Sequence, residues 1–154
     1  MKKHITLSLM FLLAFVFILP IKAQDNSLIK AIEQGNLKEV KTIFKTNNSK
    51  DNKWRENSLL LAVVGNQYKI AKFLLSQGED PNAIFRGITS PLLAAIEHGN
   101  IKMVKLLLAN GANVNAKDYD GFTPLDFAER FYPETDEIKQ LLISRGAKSA
   151  KDLE

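Results

Sequence analysis

At 154 residues the chain has room for one domain, and without a single Cys it can build neither a disulfide framework nor a thiolate metal site. Its formal charge of +4 suggests a polyanion partner, yet three of the 21 basic residues, Lys2, Lys3 and Lys22, fall in residues 1–23, which hold no acid. The remainder carries 18 basic against 17 acidic side chains, 21 less 3 against 17. That near-neutral balance argues against a broad nucleic-acid footprint.

Residues 1–23 read as a targeting segment. Lys2 and Lys3 open it, and Ile5 to Leu19 is apolar apart from Thr6 and Ser8. Pro20 then breaks any helix, and Ala23 offers a small residue before Gln24. The layout predicts a secretory signal cleaved after Ala23, so that the protein is exported to the periplasm or the medium. Retained instead, the run through Ile21 reaches the lower limit of a membrane span and would tether the protein.

Beyond it, short helices are expected in pairs. The first pair spans residues 25–48, with helices near Ser27–Gln34 and Leu37–Lys45. Asn47 is expected in the left-handed conformation where later copies have Gly. A second pair occupies 57–82, near Ser58–Gly65 and Tyr68–Ser76, with Gly65 punctuating the two helices one place early. The third pair, within 90–115, opens on Ser90-Pro91, a hydroxyl cap followed by the residue best suited to a first helical position. Gly99-Asn100 separates its helices, and Asn110-Gly111 ends the second. The fourth, within 123–147, opens on Thr123-Pro124-Leu125-Asp126, a capping box after the tight turn Asp118-Tyr119-Asp120-Gly121. Residues 148–154 are expected to be a frayed polar tail.

Three markers keep phase across the copies. A small residue recurs at Ala31, Ala62, Ala95 and Ala128, at spacings of 31, 33 and 33 residues. Apolar pairs follow at Ile43-Phe44, Leu74-Leu75, Leu107-Leu108 and Leu141-Leu142, then a turn at Asn47, Gly78, Gly111 and Gly146. A period of about 33 residues with two helices per unit resembles the ankyrin repeat family. The resemblance is clearest at Ser90-Pro91-Leu92, at Gly111 to Asn115, and at Asp120 to Leu125, and it covers residues 25 to 147. It implies an all-α solenoid of about four helix-turn-helix repeats joined by finger loops, occupying residues 24–147. Family members also carry an Asp near Phe85 that ties a finger's base, which this chain lacks.

Reactive chemistry is scarce. Once residues 1–23 are removed a single imidazole, His98, remains, which excludes a Cys–His pair and a multi-His zinc site. Asp118 with Asp120, and Glu134, Asp136 and Glu137, lack the alternating ligand pattern of a calcium loop and are read as turn and helix-start carboxylates. No metal, cofactor or catalytic residue is expected, and a hydrolase built on His98 is the remote alternative. The resemblance implies instead that the protein binds another protein, as a monomer, through finger loops and the concave face of the inner helices. On that reading Trp54, Arg55, Phe85, Arg86 and Tyr119 are finger contacts, while Glu33, Val64, Glu97, His98 and Arg130 line the adjoining groove. Ile88 and Phe122 precede helix starts, where they can tuck inward. A membrane is a partner only if the N-terminal segment stays attached, and a secreted effector or toxin-neutralising protein is a further alternative.

Overall fold

The computed structural model describes residues 26–47, 55, 57–85, 89–132 and 136–153, so the expected targeting segment lies outside it. The described helices form four pairs: α1 (Asn26–Glu33) with α2 (Leu37–Thr46), α3 (Ser58–Val64) with α4 (Tyr68–Ser76), α5 (Pro91–Glu97) with α6 (Ile101–Ala109), and α7 (Pro124–Phe131) with α8 (Asp136–Ser144). A 3₁₀ turn, Ala150–Leu153, follows. None of the described helices is long and apolar enough to cross a membrane.

The first helices of each pair, α1, α3, α5 and α7, lie side by side and pack closely, while α2, α4, α6 and α8 touch one another less. The array therefore curves around the first rank, which forms its inner, concave side. The four marker alanines sit at these inner contacts, each 0–1% exposed. A small side chain there lets neighbouring axes approach, and anything larger would overpack the contact. One continuous core runs from Leu28 to Leu142 through Ile32, Ile70, Leu74, Ile96, Met103 and Leu107. Neither helix of a pair could hide its apolar stripe alone, so burial is shared between neighbours.

Caps set the helix starts. Ser90 Oγ accepts from Leu93 N at 3.4 Å, with Pro91 at the first position of α5. The capping box at α7 is complete: Thr123 Oγ1 accepts from Asp126 N, and Asp126 Oδ2 accepts from Thr123 N at 2.8 Å. Asn36 and Asn100 cap α2 and α6 by accepting from Glu39 N and Met103 N.

Two asparagines, 33 residues apart, stitch successive repeats together. Asn82 donates to Gly111 O at 3.0 Å and accepts from Asn113 N at 2.7 Å. Asn115 repeats the arrangement, donating to Gly146 O at 3.1 Å and accepting from Lys148 N at 2.8 Å.

Two local expectations are corrected, and the turn after Gly65 is refined. Asn47 is extended, with φ −92, because its N–H completes an ordinary helical bond to Ile43 O. Between α3 and α4 the left-handed residue is Asn66, φ 55, and not Gly65, φ −73. Asn66 can hold that angle because an amide side chain tolerates it, and its Oδ1 is secured by Asn100 Nδ2 at 2.6 Å. The tail through Leu153 is not frayed: Lys148 N is held by Asn115, and Ala150 N donates to Asp126 Oδ2 at 3.1 Å. Burial alone would raise the Asp126 carboxyl. The N–H and hydroxyl of Thr123, the Ala150 N–H and the charge of Lys151 outweigh it and hold it below the usual carboxylate range.

Candidate functional site

The surface richest in exposed, regularly placed side chains lies along the inner helices and the loops beside them. Glu33, Val64, Glu97 and Arg130 occupy the same position near the C-termini of α1, α3, α5 and α7, so they form one row, a residue per repeat. Glu33 and Arg130 are exposed, and Val64 and Glu97 are half-buried. His98, exposed at the end of α5, donates from Nδ1 to Ala94 O at 2.8 Å.

Among the described residues, the loops before α7 and α5 form fingers beside the inner helices. The one before α7 is tightly built: Asp118 N donates to Phe122 O, and Asp118 Oδ1 accepts from Asp120 N at 3.0 Å and Phe122 N at 2.8 Å. Its tip presents Tyr119, 84% exposed. At its base Phe122 does not tuck fully inward; it remains 39% exposed, with the Arg130 guanidinium 5.8 Å from its ring centroid. That contact links the finger to the inner row. The finger before α5 closes through an antiparallel bridge from Phe85 to Thr89, with Phe85 half-buried against the core. Arg86 and Ile88 lie outside the described residues, as does Trp54.

Arg55 is engaged inside the fold. Its Nε lies 3.0 Å from Glu79 Oε1, and its guanidinium stacks 5.7 Å from the Phe44 centroid. The two side chains are only 21% and 13% exposed, so Arg55 ties the connection before α3 to the turn after α4. Burial pushes the Glu79 carboxyl above its ordinary value, further than the Arg55 charge and the Ser58 hydroxyl pull it down.

Tyr132 carried no sequence signal and proves structurally central. Its hydroxyl donates to Glu97 O at 2.6 Å and fills the space beside Gly99, where an added Cβ would stand 2.9 Å from Tyr132 Oη. The inner row is thus braced between its third and fourth members. Burial, then the Glu97 charge, raises the Tyr132 phenol above its ordinary value. Among the described residues no three His, Asp or Glu side chains gather to hold a metal ion.

The family model described as ankyrin repeats in many copies matches residues 59–108 and 92–131. An ankyrin repeat protein of Rickettsia bellii is 32% identical over 124 residues, 80% of this chain and 49% of its own length. Human "Ankyrin repeat and SOCS box protein 2" is 45% identical over 62 residues, 40% of this chain and 9% of that protein. The mouse "B-cell lymphoma 3 protein homolog" is 45% identical over 56 residues, 36% of this chain and 12% of that protein. The chain thus spans about half the length of the Rickettsia relative and about a tenth of the other two. Repeat period, paired helices and these matches agree: the chain belongs to the ankyrin repeat family, whose arrays are generally non-enzymatic modules for binding other proteins.

Proposed function

We propose that this protein is exported and acts there by binding one partner protein across the Tyr119 finger and the inner row of Glu33, Val64, Glu97, His98 and Arg130. The observation that carries the proposal is Tyr119, a large aromatic held almost fully exposed at the tip of a loop whose hydrogen bonds already fix its geometry. A pre-organised anchor of this kind loses little entropy on association, and aromatic and Arg anchors dominate protein interfaces. Phe122 and Arg130, in contact at the finger's base, extend the anchor toward the groove. Export rests on the charge and apolar pattern of residues 1–23.

Site-specific photo-crosslinkers at positions 119, 98 and 130, compared with one at the outer-helix position 72, test the surface. The same partner should be trapped from the first three and not from the fourth. Tyr119→Ala should weaken that complex by about 30-fold, the effect of losing an aromatic hot spot. Adducts from position 72 alone, or unchanged affinity of Tyr119→Ala, would overturn the assignment. Intact mass of the exported protein tests the leader, the expected N-terminus being Gln24.

A further inference from the structure

The near-zero net charge beyond residue 23 conceals a segregated one. The outer helices repeat a lysine pair at their second and fifth positions: Lys38 and Lys41 on α2, Lys69 and Lys72 on α4, Lys102 and Lys105 on α6. All six are exposed, opposite the buried positions Val40, Ile70, Leu74, Val104 and Leu107. Positions three apart on a helix share a face, and the three helices lie side by side, so the six ammonium groups form a two-by-three ridge on the convex side.

Counter-charges are few on this face. Helices α4 and α6 contain no acidic residue. Glu39 on α2 offsets one charge at the ridge's first helix, where its Oε2 accepts from Asn36 Nδ2 at 2.9 Å. Glu137 on α8 pairs with Lys105 at 3.3 Å and marks the ridge's end. Among the described residues no carboxylate pairs with Lys38, Lys41, Lys69, Lys72 or Lys102; Lys41 instead lies 5.6 Å from the Phe73 centroid.

We infer that this lysine ridge docks the array onto an anionic phospholipid bilayer, leaving the concave face and fingers directed away from it. Three features favour a bilayer over a nucleic acid or an acidic protein. The cations spread over a ridge of three parallel helices, a layout that suits a surface and offers no groove for a duplex. They are all lysines, point charges on flexible stems, with none of the Arg forks that read phosphates or carboxylates bidentately. The exposed aromatic beside them, Tyr68 at the start of α4, is of the type enriched where protein meets headgroups. Such docking needs no retained N-terminal helix, and it is independent of which protein the concave face binds.

The array of residues 24–154, whose core lies within 28–142, is suited to vesicle co-sedimentation. Vesicles of phosphatidylcholine alone are compared with vesicles holding about a third phosphatidylglycerol, at low and high salt. Binding should require the anionic lipid and fall at least tenfold on raising the salt, as a screened contact must. Each lysine contributes about fivefold at an anionic surface. Lys69→Gln with Lys72→Gln and Lys102→Gln should therefore weaken binding about a hundredfold. Lys117→Gln with Lys148→Gln and Lys151→Gln, all off the ridge, should leave it unchanged, with circular dichroism confirming both folds. Equal loss in the two triple variants, or no preference for the anionic vesicles, would overturn the inference. So would displacement by millimolar inorganic phosphate, which would indicate a single-ion site, or capture of duplex DNA with no capture by vesicles.

Discussion

Gly99 and Gly111 offer a controlled comparison of two costs that usually arrive together. Both are left-handed, with φ of +63 and +89. A Cβ on Gly111 meets nothing within 4 Å, so Gly111→Ala should cost only the backbone strain of an L-residue there, about 1–2 kcal/mol. A Cβ on Gly99 would stand 2.9 Å from Tyr132 Oη and 3.0 Å from Cζ, closer than real contacts allow. Tyr132 would have to withdraw, breaking its 2.6 Å bond to Glu97 O at a half-buried site. Losing that bond with its desolvated partners adds about 2 kcal/mol, so Gly99→Ala should cost about 3–4 kcal/mol in all. Urea unfolding followed by circular dichroism measures both, provided the slope m stays constant. In a Tyr132→Ala background the obstacle is gone, and the cost of Gly99→Ala should fall to that of Gly111→Ala. Equal costs in the wild-type background, or an unchanged gap in the Tyr132→Ala background, would refute the brace between the third and fourth repeats.

Asn115→Ala removes the donation to Gly146 O and the acceptance from Lys148 N; it should cost about 1–2 kcal/mol and speed amide exchange at Lys148 and Ala150 in particular. Asp126→Asn should cost about 1 kcal/mol at neutral pH as the capping box weakens. Because the folded carboxyl of Asp126 titrates below its unfolded value, its contribution is present above the ordinary carboxylate range and is lost as pH falls through the lower folded value; melts of wild type and Asp126→Asn should converge in acid. Glu79 has the opposite sign. Its folded carboxyl titrates above the ordinary 4.5, so stability is full below that value and declines as pH rises through the raised one. Arg55→Ala should therefore destabilise by about 2 kcal/mol at neutral pH, less than a fully buried pair would lose. The deficit should shrink near pH 4 and in a Glu79→Gln background, and thermal melts across pH check both.

What the sequence makes legible is whatever is encoded within a few residues or repeated in phase. The capping box at Thr123 and the start at Ser90-Pro91 join positions three apart, and the small alanine recurs in each of the four copies, so the helix starts and the stacking follow from pattern alone. The contacts that brace the array are different in kind. Tyr132 meets Glu97 35 residues away, Asn115 meets Gly146 31 away, and Arg55 meets Glu79 across α3 and α4. Each pairs a side chain with backbone, or a loop with a turn, and neither partner's residue type announces the other. Asn66 shows the limit of a residue-type rule: the turn requires a left-handed angle at a fixed place in the period, and the chain meets it with Asn while an available Gly sits one residue earlier. The candidate surface divides along the same line. Tyr119 is legible because the turn that lifts it, Asp118 to Gly121, is local; the inward engagement of Arg55 is not, because it depends on how two loops meet. The lysine ridge lies between these cases. Net charge hides it by summing opposite faces, but once the repeat period is combined with the period of the helix, the second and fifth outer-helix positions fall into register and the segregation becomes readable. Charge becomes a directional property of a solenoid only when both periods are applied, which is why the composition of this chain argues against an electrostatic partner while its convex face argues for one.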